Sequence, residues 1–273
     1  MKKIILFAFI GITLLSCSSD DTTANTTSID YTQYITQNEI SSNIHFMPEE
    51  TFADLNMAPQ VPDLQLKLST EEIYPCINYN LISSEFVVGN ELIVRFDEVV
   101  EPEVCLTALG PAISYIDVPE NISFLTLLNG NTIDRYTIEI TTEKVIITLI
   151  ETNFTLSLHE NTFRIPENSF AFVCGTTEDT TQIYDDFSTI LDQNPDFTEF
   201  QFEGEGRIPY PEVSSGHWVN HPSKYYRYTN PTAFSDLATT INNYAAQNLQ
   251  NASGTSFSIY GWNNVSYYSW IDN

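Results

Sequence analysis

The stretch YTIEITTEKVIITL, from Tyr136 to Leu149, sets the pattern that decides the fold of the larger part of this chain. Apolar and polar residues alternate on both sides of Thr141-Thr142, which predicts two strands with one buried face each, joined by a tight connection. The same period of two extends outward along the chain, in Leu64 to Leu68, Ile77 to Leu81 and Leu92 to Phe96. Turn signals separate these strands, at Gly89-Asn90 and at Asn129-Gly130.

Two further strands are indicated in this part of the chain, at Ile122 to Leu128 and at Ser169 to Val173. Residues 63–174 therefore hold seven or eight short strands, a number and spacing typical of an antiparallel β-sandwich. We predict an immunoglobulin-like architecture for this domain. Because the range has no tryptophan, the tryptophan packed on a disulfide in antibody domains is not expected.

After Cys174 the pattern changes to mixed helix and strand. One face of a predicted helix carries Ile183, Phe187, Ile190 and Leu191. A second helix is predicted from Asn230-Pro231 to about Leu249. Strands are indicated at Phe200 to Phe202, Tyr226 to Tyr228, Phe257 to Ile259 and Val265 to Ile271. Residues 175–273 should thus form a small α+β domain, with helices on one face of an antiparallel sheet, in a two-domain α+β protein.

Residues 17–62 precede these two domains. Residues 18–30 carry almost no side chain that could be buried, which predicts a disordered tether. Apolar residues return from Tyr31 to Pro62 without a clean period, as expected of a segment that wraps against the first domain. Within it, Pro48 to Leu55 resembles one short helix with proline in its first turn.

The chain begins with a short basic start, Lys2-Lys3, and an apolar run from Ile4 to Leu15 that is too brief to span a membrane. The run closes in Leu14-Leu15-Ser16-Cys17, which resembles the lipobox of bacterial lipoproteins. The resemblance implies that residues 1–16 are a signal peptide, that cleavage occurs before Cys17, and that acyl chains on Cys17 anchor the protein to a membrane. An ordinary signal peptide with an incidental cysteine is the alternative.

Ser18-Ser19-Asp20-Asp21 follows the cysteine and resembles the acidic signal by which Bacteroidota lipoproteins reach the outside of the outer membrane. This resemblance implies an outer-membrane lipoprotein on the cell surface. A flexible tether would have a similar composition, so the periplasmic face remains open.

The chain is strongly acidic, with 36 acidic and 10 basic residues, two of which would leave with the signal peptide. Such a surface repels phosphate backbones and anionic headgroups, which excludes nucleic acid as a partner and leaves membrane association to the lipid anchor. The acidity is explained by solubility in a salty medium or by calcium sites. No cofactor is expected, with bound calcium as the alternative.

Three cysteines remain after Cys17. An exported compartment is oxidising, so one disulfide and one spare thiol are expected. Cys76 and Cys105 lie at the outer ends of a predicted strand pair, which favours their pairing. Cys174 is then expected to be a small buried residue, because no histidine or asparagine signature of a thiol nucleophile accompanies it.

Motifs of known enzyme classes fail on inspection. His159-Glu160 begins like a zinc-protease helix, but Phe163 stands where the second histidine is required. Neighbouring carboxylates such as Asp185-Asp186 would point about 100° apart on a helix and cannot flank one bond. No catalytic residue is therefore assigned, and a hydrolase that uses two distant carboxylates is kept as a minor alternative.

His217 and His221 are the candidate metal ligands. On a helix, their spacing of four would place both imidazoles on one face, but Gly216 and Pro222 favour a loop, where histidines are usually ordinary polar residues. Glu203, Glu205 and Glu212 could complete such a site.

Aromatic residues concentrate after Cys174, where all three tryptophans and nine of the 15 tyrosines lie. They either fill the packing of the second domain or form a platform for a ligand. The candidate ligand-binding residues are Trp218, Tyr226, Tyr228, Tyr260, Trp262 and Tyr268. The sequence thus favours a membrane-tethered, non-enzymatic binding lipoprotein for a neutral glycan, with a structural subunit that docks on another envelope protein as the alternative.

Overall fold

The computed structural model describes residues 30–53, 58–250 and 252–271. The predicted signal peptide, Cys17 and residues 18–29 of the predicted tether lie outside this range. Residues 34–273 belong to one compact unit. Residues 1–33 form a separate unit, of which residues 30–33 are described. They contain a 3-10 turn at Tyr31–Gln33. No helix among the described residues has the length and apolar character needed to cross a membrane.

The first sheet contains ten strands. In chain order they are β1 (Ile44–Thr51), β2 (Asp63–Tyr74), β3 (Asn80–Val88), β4 (Glu91–Val100), β5 (Gly110–Asp117), β6 (Phe124–Asn129), β7 (Thr132–Ile140), β8 (Lys144–Glu151), β9 (Thr155–Ser157) and β10 (Asn161–Phe163). The order across the sheet is β10-β8-β7-β6-β4-β3-β5-β2-β1-β9. Neighbours are antiparallel except for β4 with β6, β3 with β5, and β1 with β9, so the sheet is mixed.

The three predicted tight connections are confirmed. Gly89 and Gly130 have φ angles of 63° and 58° in the turns between β3 and β4 and between β6 and β7. Glycine enters this left-handed region without the clash that a Cβ would create. In the turn from β7 to β8, the Thr141 hydroxyl accepts from the backbone N–H of Lys144 at 3.0 Å and thereby closes the loop.

The first sheet curls around a single apolar core. Phe46 on β1 and Tyr136 on β7 lie far apart in the strand order, yet their ring centroids are 4.9 Å apart. Alternate residues of most strands point into this core, as the period of two predicts. The fully buried members include Leu66, Leu68, Leu92, Val94, Phe96, Ala112 and Leu127.

The second sheet contains six strands. They are β11 (Ser169–Thr176), β12 (Phe197–Phe200), β13 (Val219–Asn220), β14 (Lys224–Tyr228), β15 (Ser256–Gly261) and β16 (Ser266–Tyr268). The order is β12-β14-β11-β15-β16, with β13 beside β11, and all pairs are antiparallel. Three helices accompany it: α1 (Gln182–Asp192), α2 (Pro231–Ser235) and α3 (Leu237–Asn248).

The helices cover one face of the second sheet, as the sequence predicts. Ile183, Phe187 and Leu191 of α1 are buried against this face, whereas Ile190 is more than a third exposed. The predicted second helix is divided into α2 and α3, and Asn230 caps its start by accepting from the backbone N–H of Thr232. The opposite face of the sheet is covered by the loop from 201 to 216, through Tyr210 and Ile208.

The predicted helix from Pro48 to Leu55 is wrong within the described residues, because Pro48 to Thr51 continue strand β1 opposite β2. The local proline signal is overridden by pairing with a distant strand. Strand β9 pairs only with Ile44 to Phe46, so β1 is an edge strand at Pro48. An edge position tolerates proline, because no neighbouring strand on that side requires a backbone N–H donor.

The predicted strand from Ser169 to Val173 exists, but its assignment to the first sheet is wrong. As part of β11 it is the central strand of the second sheet and pairs with β13, β14 and β15. All eight residues of β11 are buried, because helices cover one face and a loop the other. The predicted boundary after Cys174 falls inside this strand, so a fragment that began at Gly175 would lose most of it.

The fold is therefore mostly β with few helices, in two sheets of antiparallel and mixed strands of which the larger is curled.

Candidate functional site

A cleft of about 760 Å³ lies where the segment between β10 and β11 passes from the first sheet to the second. One wall comes from the end of β1 and the turn between β7 and β8, and the other from the ends of β12 and β14 with the turn after β15. The lining combines aromatic rings with charged groups: Phe163, Phe200, Phe202, Trp262, Glu50, Glu143, Glu167, Glu203, Arg164 and Arg227. This volume lies within the range of pockets that bind small ligands.

Glu50 and Arg164 fix one wall of the cleft. Arg164 Nε donates to Glu50 Oε1 at 2.8 Å, and the Glu50 side chain is only 4% exposed. The other oxygen of Glu50 accepts from the backbone N–H of Ile165, and Arg164 Nη1 also donates to the Thr141 carbonyl at 3.3 Å. Both side chains are therefore occupied in holding the linking segment against the first sheet.

Glu49, the neighbour of Glu50 on β1, pairs with two other cations. Arg207 Nη2 donates to Glu49 Oε1 at 2.8 Å, and Lys67 Nζ lies 3.5 Å from Glu49 Oε2. These contacts join the loop that covers the second sheet to β1 and β2 of the first. Ion pairs at Glu49 and Glu50 thus fasten both the covering loop and the linking segment to the first sheet.

Arg227 makes a different kind of contact from Lys67, Arg164 and Arg207, which pair with glutamates. Its guanidinium carbon lies 4.9 Å from the centroid of the Phe200 ring, a cation–π contact, and its side chain is exposed. Across the described ranges, no ion pair includes Arg227. The guanidinium thus presents donors to the cleft, opposite carboxylates that accept.

Trp262 is held in one orientation. Its indole Nε1 donates to the Tyr228 hydroxyl at 2.7 Å, and its backbone N–H donates to the Ser169 carbonyl at 2.9 Å. The preceding Gly261 leaves no room for a side chain, since a Cβ there would lie 2.6 Å from the Phe234 ring. The half-buried indole of Trp262 thus packs on the second core with its N–H engaged, and the residue lines the cleft.

Phe200 and Phe202 extend the aromatic wall. Their ring centroids are 5.3 Å apart, and the Phe202 ring also lies 5.2 Å from Tyr225 and 5.1 Å from Phe163. Edge-to-face and tilted contacts at these distances hold rings in place. The cleft therefore has apolar surfaces beside acceptor and donor groups.

Of the six predicted ligand-binding residues, Trp262 lines the cleft. Tyr226 and Tyr228 do not line it, because both are buried beneath the helices. Tyr226 donates its hydroxyl to Asp192 Oδ1 at 2.8 Å, and burial raises its pKa far above the ordinary value. Along β14 the two tyrosines share the helix-covered face, and Tyr225 and Arg227 share the other.

The remaining three aromatic candidates lie in two other places. Trp218 is 82% exposed in the loop before β13. Tyr260 and Tyr268 form a cluster on β15 and the edge strand β16, with centroids 6.1 Å apart, and Trp270 joins it at 4.8 Å from Tyr268. The structure therefore does not bring the six predicted residues into one surface.

The two candidate metal ligands have separate partners. His217 packs on Gly175, with Nε2 at 2.9 Å from the Ser256 hydroxyl and Nδ1 at 2.9 Å from the Ser215 carbonyl. His221 Nε2 lies 2.8 Å from the Thr176 hydroxyl, its ring stacks on Tyr184, and burial lowers its pKa.

Gly175 and Thr176 are successive residues of β11 and face opposite sides of the sheet, so the two imidazoles do not converge. The structure therefore does not bring these two predicted ligands together. In the described part of the chain, no group of three or more His, Cys, Asp or Glu side chains is placed to hold a metal ion.

Cys76 and Cys105 form a disulfide with Cα atoms 5.2 Å apart, at the end of β3 and β4 away from the turn at Gly89. Cys174 is a buried free thiol, and burial raises its pKa to about 12. At neutral pH this sulfur stays protonated and is a poor nucleophile.

No family model, curated protein or solved structure matches this chain, so its function has to be argued from its own residues.

Sequence reasoning missed most of the cleft. The sequence predicts a strand at Phe200 to Phe202, but β12 ends at Phe200 and Phe202 follows it. Arg227 alternates with two tyrosines in the predicted strand at Tyr226 to Tyr228, which is part of β14. The period of two could have placed Arg227 opposite Tyr226 and Tyr228, on the face away from the helices. Nothing local in the sequence relates these residues to Glu143 in the first sheet.

Proposed function

We propose that this protein is a membrane-tethered, non-enzymatic binding lipoprotein of the cell envelope, and that the cleft holds a neutral glycan. The observation that carries the proposal is that the fixed indole of Trp262, the Phe200 ring and the exposed guanidinium of Arg227 line one cleft. The lipid anchor at Cys17 and the cell-surface side of the outer membrane are parts of the same proposal and rest on the sequence of residues 1–21.

The lining chemistry suits sugar rings. The C–H face of a pyranose stacks on an aromatic ring, while its hydroxyls donate to carboxylates and accept from a guanidinium. The cleft supplies the ring through Trp262, acceptors through Glu143, Glu167 and Glu203, and donors through Arg227. Its volume of about 760 Å³ accommodates a short oligosaccharide rather than a single sugar.

The charge of the chain favours a neutral glycan over an anionic one. Glu143, Glu167 and Glu203 line the cleft, whereas Arg227 is its one cation outside the Glu50–Arg164 pair among the described lining residues. An anionic polysaccharide would meet net repulsion, both in the cleft and from the surface as a whole. The exception is an anionic glycan that is bridged to these carboxylates by calcium. In that case a calcium chelator should abolish binding.

We also keep as proposals the sandwich-like layering of the curled sheet and the division of the two sheets into a supporting domain and a recognition domain. In this arrangement the first sheet supports the second and contributes one wall of the site. The predicted alternative, a subunit that docks on another envelope protein, is favoured by a different surface, around the Cys76–Cys105 disulfide.

A neutral-glycan array probed with the full-length lipidated protein in detergent tests the proposed function. We expect binding to one class of neutral oligosaccharide or polymer, with longer chains favoured because several weak contacts act together. Binding should fall in Arg227→Ala, whose exposed side chain can be removed without disturbing the core, and should persist in Trp218→Ala. Release of shorter sugars during the incubation would instead identify a hydrolase.

A further inference from the structure

Two loops at one end of the first sheet form a structured tip. We define the disulfide tip as residues 71–79, at the end of β2 and in the turn to β3, together with residues 101–110, between β4 and the start of β5. The Cys76–Cys105 disulfide joins the two loops. Both loops therefore move as one piece.

Hydrogen bonds hold the tip in addition to the disulfide. Asn78 Nδ2 donates to the Val104 carbonyl at 2.8 Å, and Asn78 Oδ1 accepts from the backbone N–H of Leu106 at 3.0 Å. The Ile77 N–H donates to the Leu106 carbonyl at 3.3 Å, and Gly110 packs so closely on Ile77 that a Cβ would lie 2.8 Å from its side chain. The loops are thus pre-organised, so that little conformational entropy remains to be lost on binding.

This ordered tip exposes its apolar side chains. Five of them are between 48% and 75% exposed: Ile73, Ile77, Val104, Leu106 and Leu109. Single exposed apolar residues are normal on a protein surface, but five on two cross-linked loops form a patch that is typical of an interaction site. Apolar side chains held in contact with water on ordered loops are unfavourable for the isolated protein, and a binding partner that covers them would remove this cost.

The rim of the tip is negatively charged. Glu71, Glu72, Glu101 and Glu103 are all exposed. The chain has no lysine or arginine between Lys67 and Arg95, or between Arg95 and Arg135. Among the described residues, none of the six ion pairs includes these four glutamates.

We propose that the disulfide tip docks on another protein of the cell envelope, into an apolar pocket rimmed by lysine or arginine. Charge complementarity selects this occupant. A second copy of this chain would bring 36 acidic residues against 10 basic ones, and an anionic membrane surface would repel the glutamate rim. The tip is formed by other residues than the cleft, so this docking goes beyond glycan binding and does not depend on it.

Site-specific photocrosslinking on the full-length protein, in cells that naturally produce it, tests the proposal. A benzophenone side chain replaces Leu109 or, separately, Val104. The matched control replaces Val87, which is also about half exposed but lies at the opposite end of β3. Each variant must have the wild-type melting temperature when measured without a reducing agent, which shows that the disulfide and the fold are intact.

We expect one discrete protein adduct from Leu109 and Val104 and none from Val87, and the cross-linked peptide of the partner should carry lysine or arginine beside apolar residues. In the Leu109 variant, Glu101→Lys combined with Glu103→Lys should lower the adduct yield about tenfold, because the rim charges would then repel the partner. Asp185→Lys with Asp186→Lys, on α1, should leave the yield unchanged.

Four results would overturn the proposal. They are no adduct from either tip position, adducts with a second copy of this chain, adducts with lipid, and a contact peptide without basic residues. A separate arm distinguishes the lipid case, since purified protein that sediments with phosphatidylcholine vesicles, and fails to do so after Leu109→Ser, would identify the tip as a membrane-inserting loop.

Discussion

Asp134 offers a sharp test of what holds the curled sheet together. This carboxylate on β7 is fully buried and accepts hydrogen bonds from the segment that connects β8 to β9. Its donors are the backbone N–H groups of Asn153 at 2.7 Å, Phe154 at 3.0 Å and Thr155 at 2.7 Å, together with the side chains of Thr152, Asn153 and Thr155. The Asp134 carboxylate therefore accepts hydrogen bonds from all three backbone N–H groups of residues 153–155.

Replacing Asp134 with alanine would leave three backbone N–H groups without an acceptor. Each buried unsatisfied donor costs about 1–3 kcal/mol, and water that enters the vacated space would recover part of that loss. We expect Asp134→Ala to lower the free energy of unfolding by about 4 kcal/mol. The effect should spread to the first core, since Phe154 packs edge-on against Phe96 with centroids 6.0 Å apart.

Urea unfolding followed by circular dichroism measures this change, and hydrogen exchange at residues 153–155 locates it. The matched control is Asp186→Ala on the exposed side of α1, which should change stability by less than about 0.5 kcal/mol. A loss below about 1 kcal/mol in Asp134→Ala, with amide protection at 153–155 retained, would refute the assignment of this carboxylate as the organiser of the turn.

The remaining predictions concern the disulfide, one histidine and the anchor. Replacing Cys76 and Cys105 together by serine should lower the free energy of unfolding by about 3.6 kcal/mol, the entropy of closing a loop of 29 residues, and the midpoint of urea unfolding reports it. Burial lowers the pKa of His221, so the unfolded chain takes up its proton at higher pH than the folded chain. Stability should therefore fall as the pH drops below about 6.5, and a pH series of melting temperatures should show a shallower fall for His221→Asn. Cys17→Ala should move the protein from the membrane fraction to the soluble fraction, and a membrane-bound variant without acyl label would contradict the lipidation proposal.

The parts of the fold that depend on local signals were predictable. The turns at Gly89, Gly130 and Thr141 each follow from residues within the turn itself, and strands β4, β7 and β8 follow from alternation, whereas β3 begins at Asn80 and the alternation predicted from Ile77 lies mostly before it. Helix α1 follows from an apolar face of period 3.6 in the same way. In each case the deciding contacts join residues that are close in sequence.

Features that depend on distant pairing were not predictable in the same way. Whether Ser169 to Thr176 joins the first or the second sheet is decided by strands more than 40 residues later, and its continuous burial fits either sheet. Pro48 is accommodated because β9 ends two residues before its position, which nothing near Pro48 indicates.

The candidate site shows the same limit more strongly. Aromatic enrichment drew attention to Trp262, which lines the cleft, but composition could not separate it from Tyr226, which the helices cover. The cleft joins Glu143 from a hairpin of the first sheet to Arg227 from the second, so its existence depends on how the two sheets meet.

The most direct test of the proposed function is calorimetric titration of the full-length protein with the neutral oligosaccharide that the array selects, in three forms: wild type, Trp262→Ala and Trp270→Ala. Trp270 is an exposed tryptophan on the edge of the second sheet and serves as the matched control. We predict that Trp262→Ala weakens binding by about tenfold, near 1.4 kcal/mol, and that Trp270→Ala leaves the affinity unchanged. Equal affinities for all three forms, or a loss in Trp270→Ala alone, would contradict the assignment of the cleft as the glycan site.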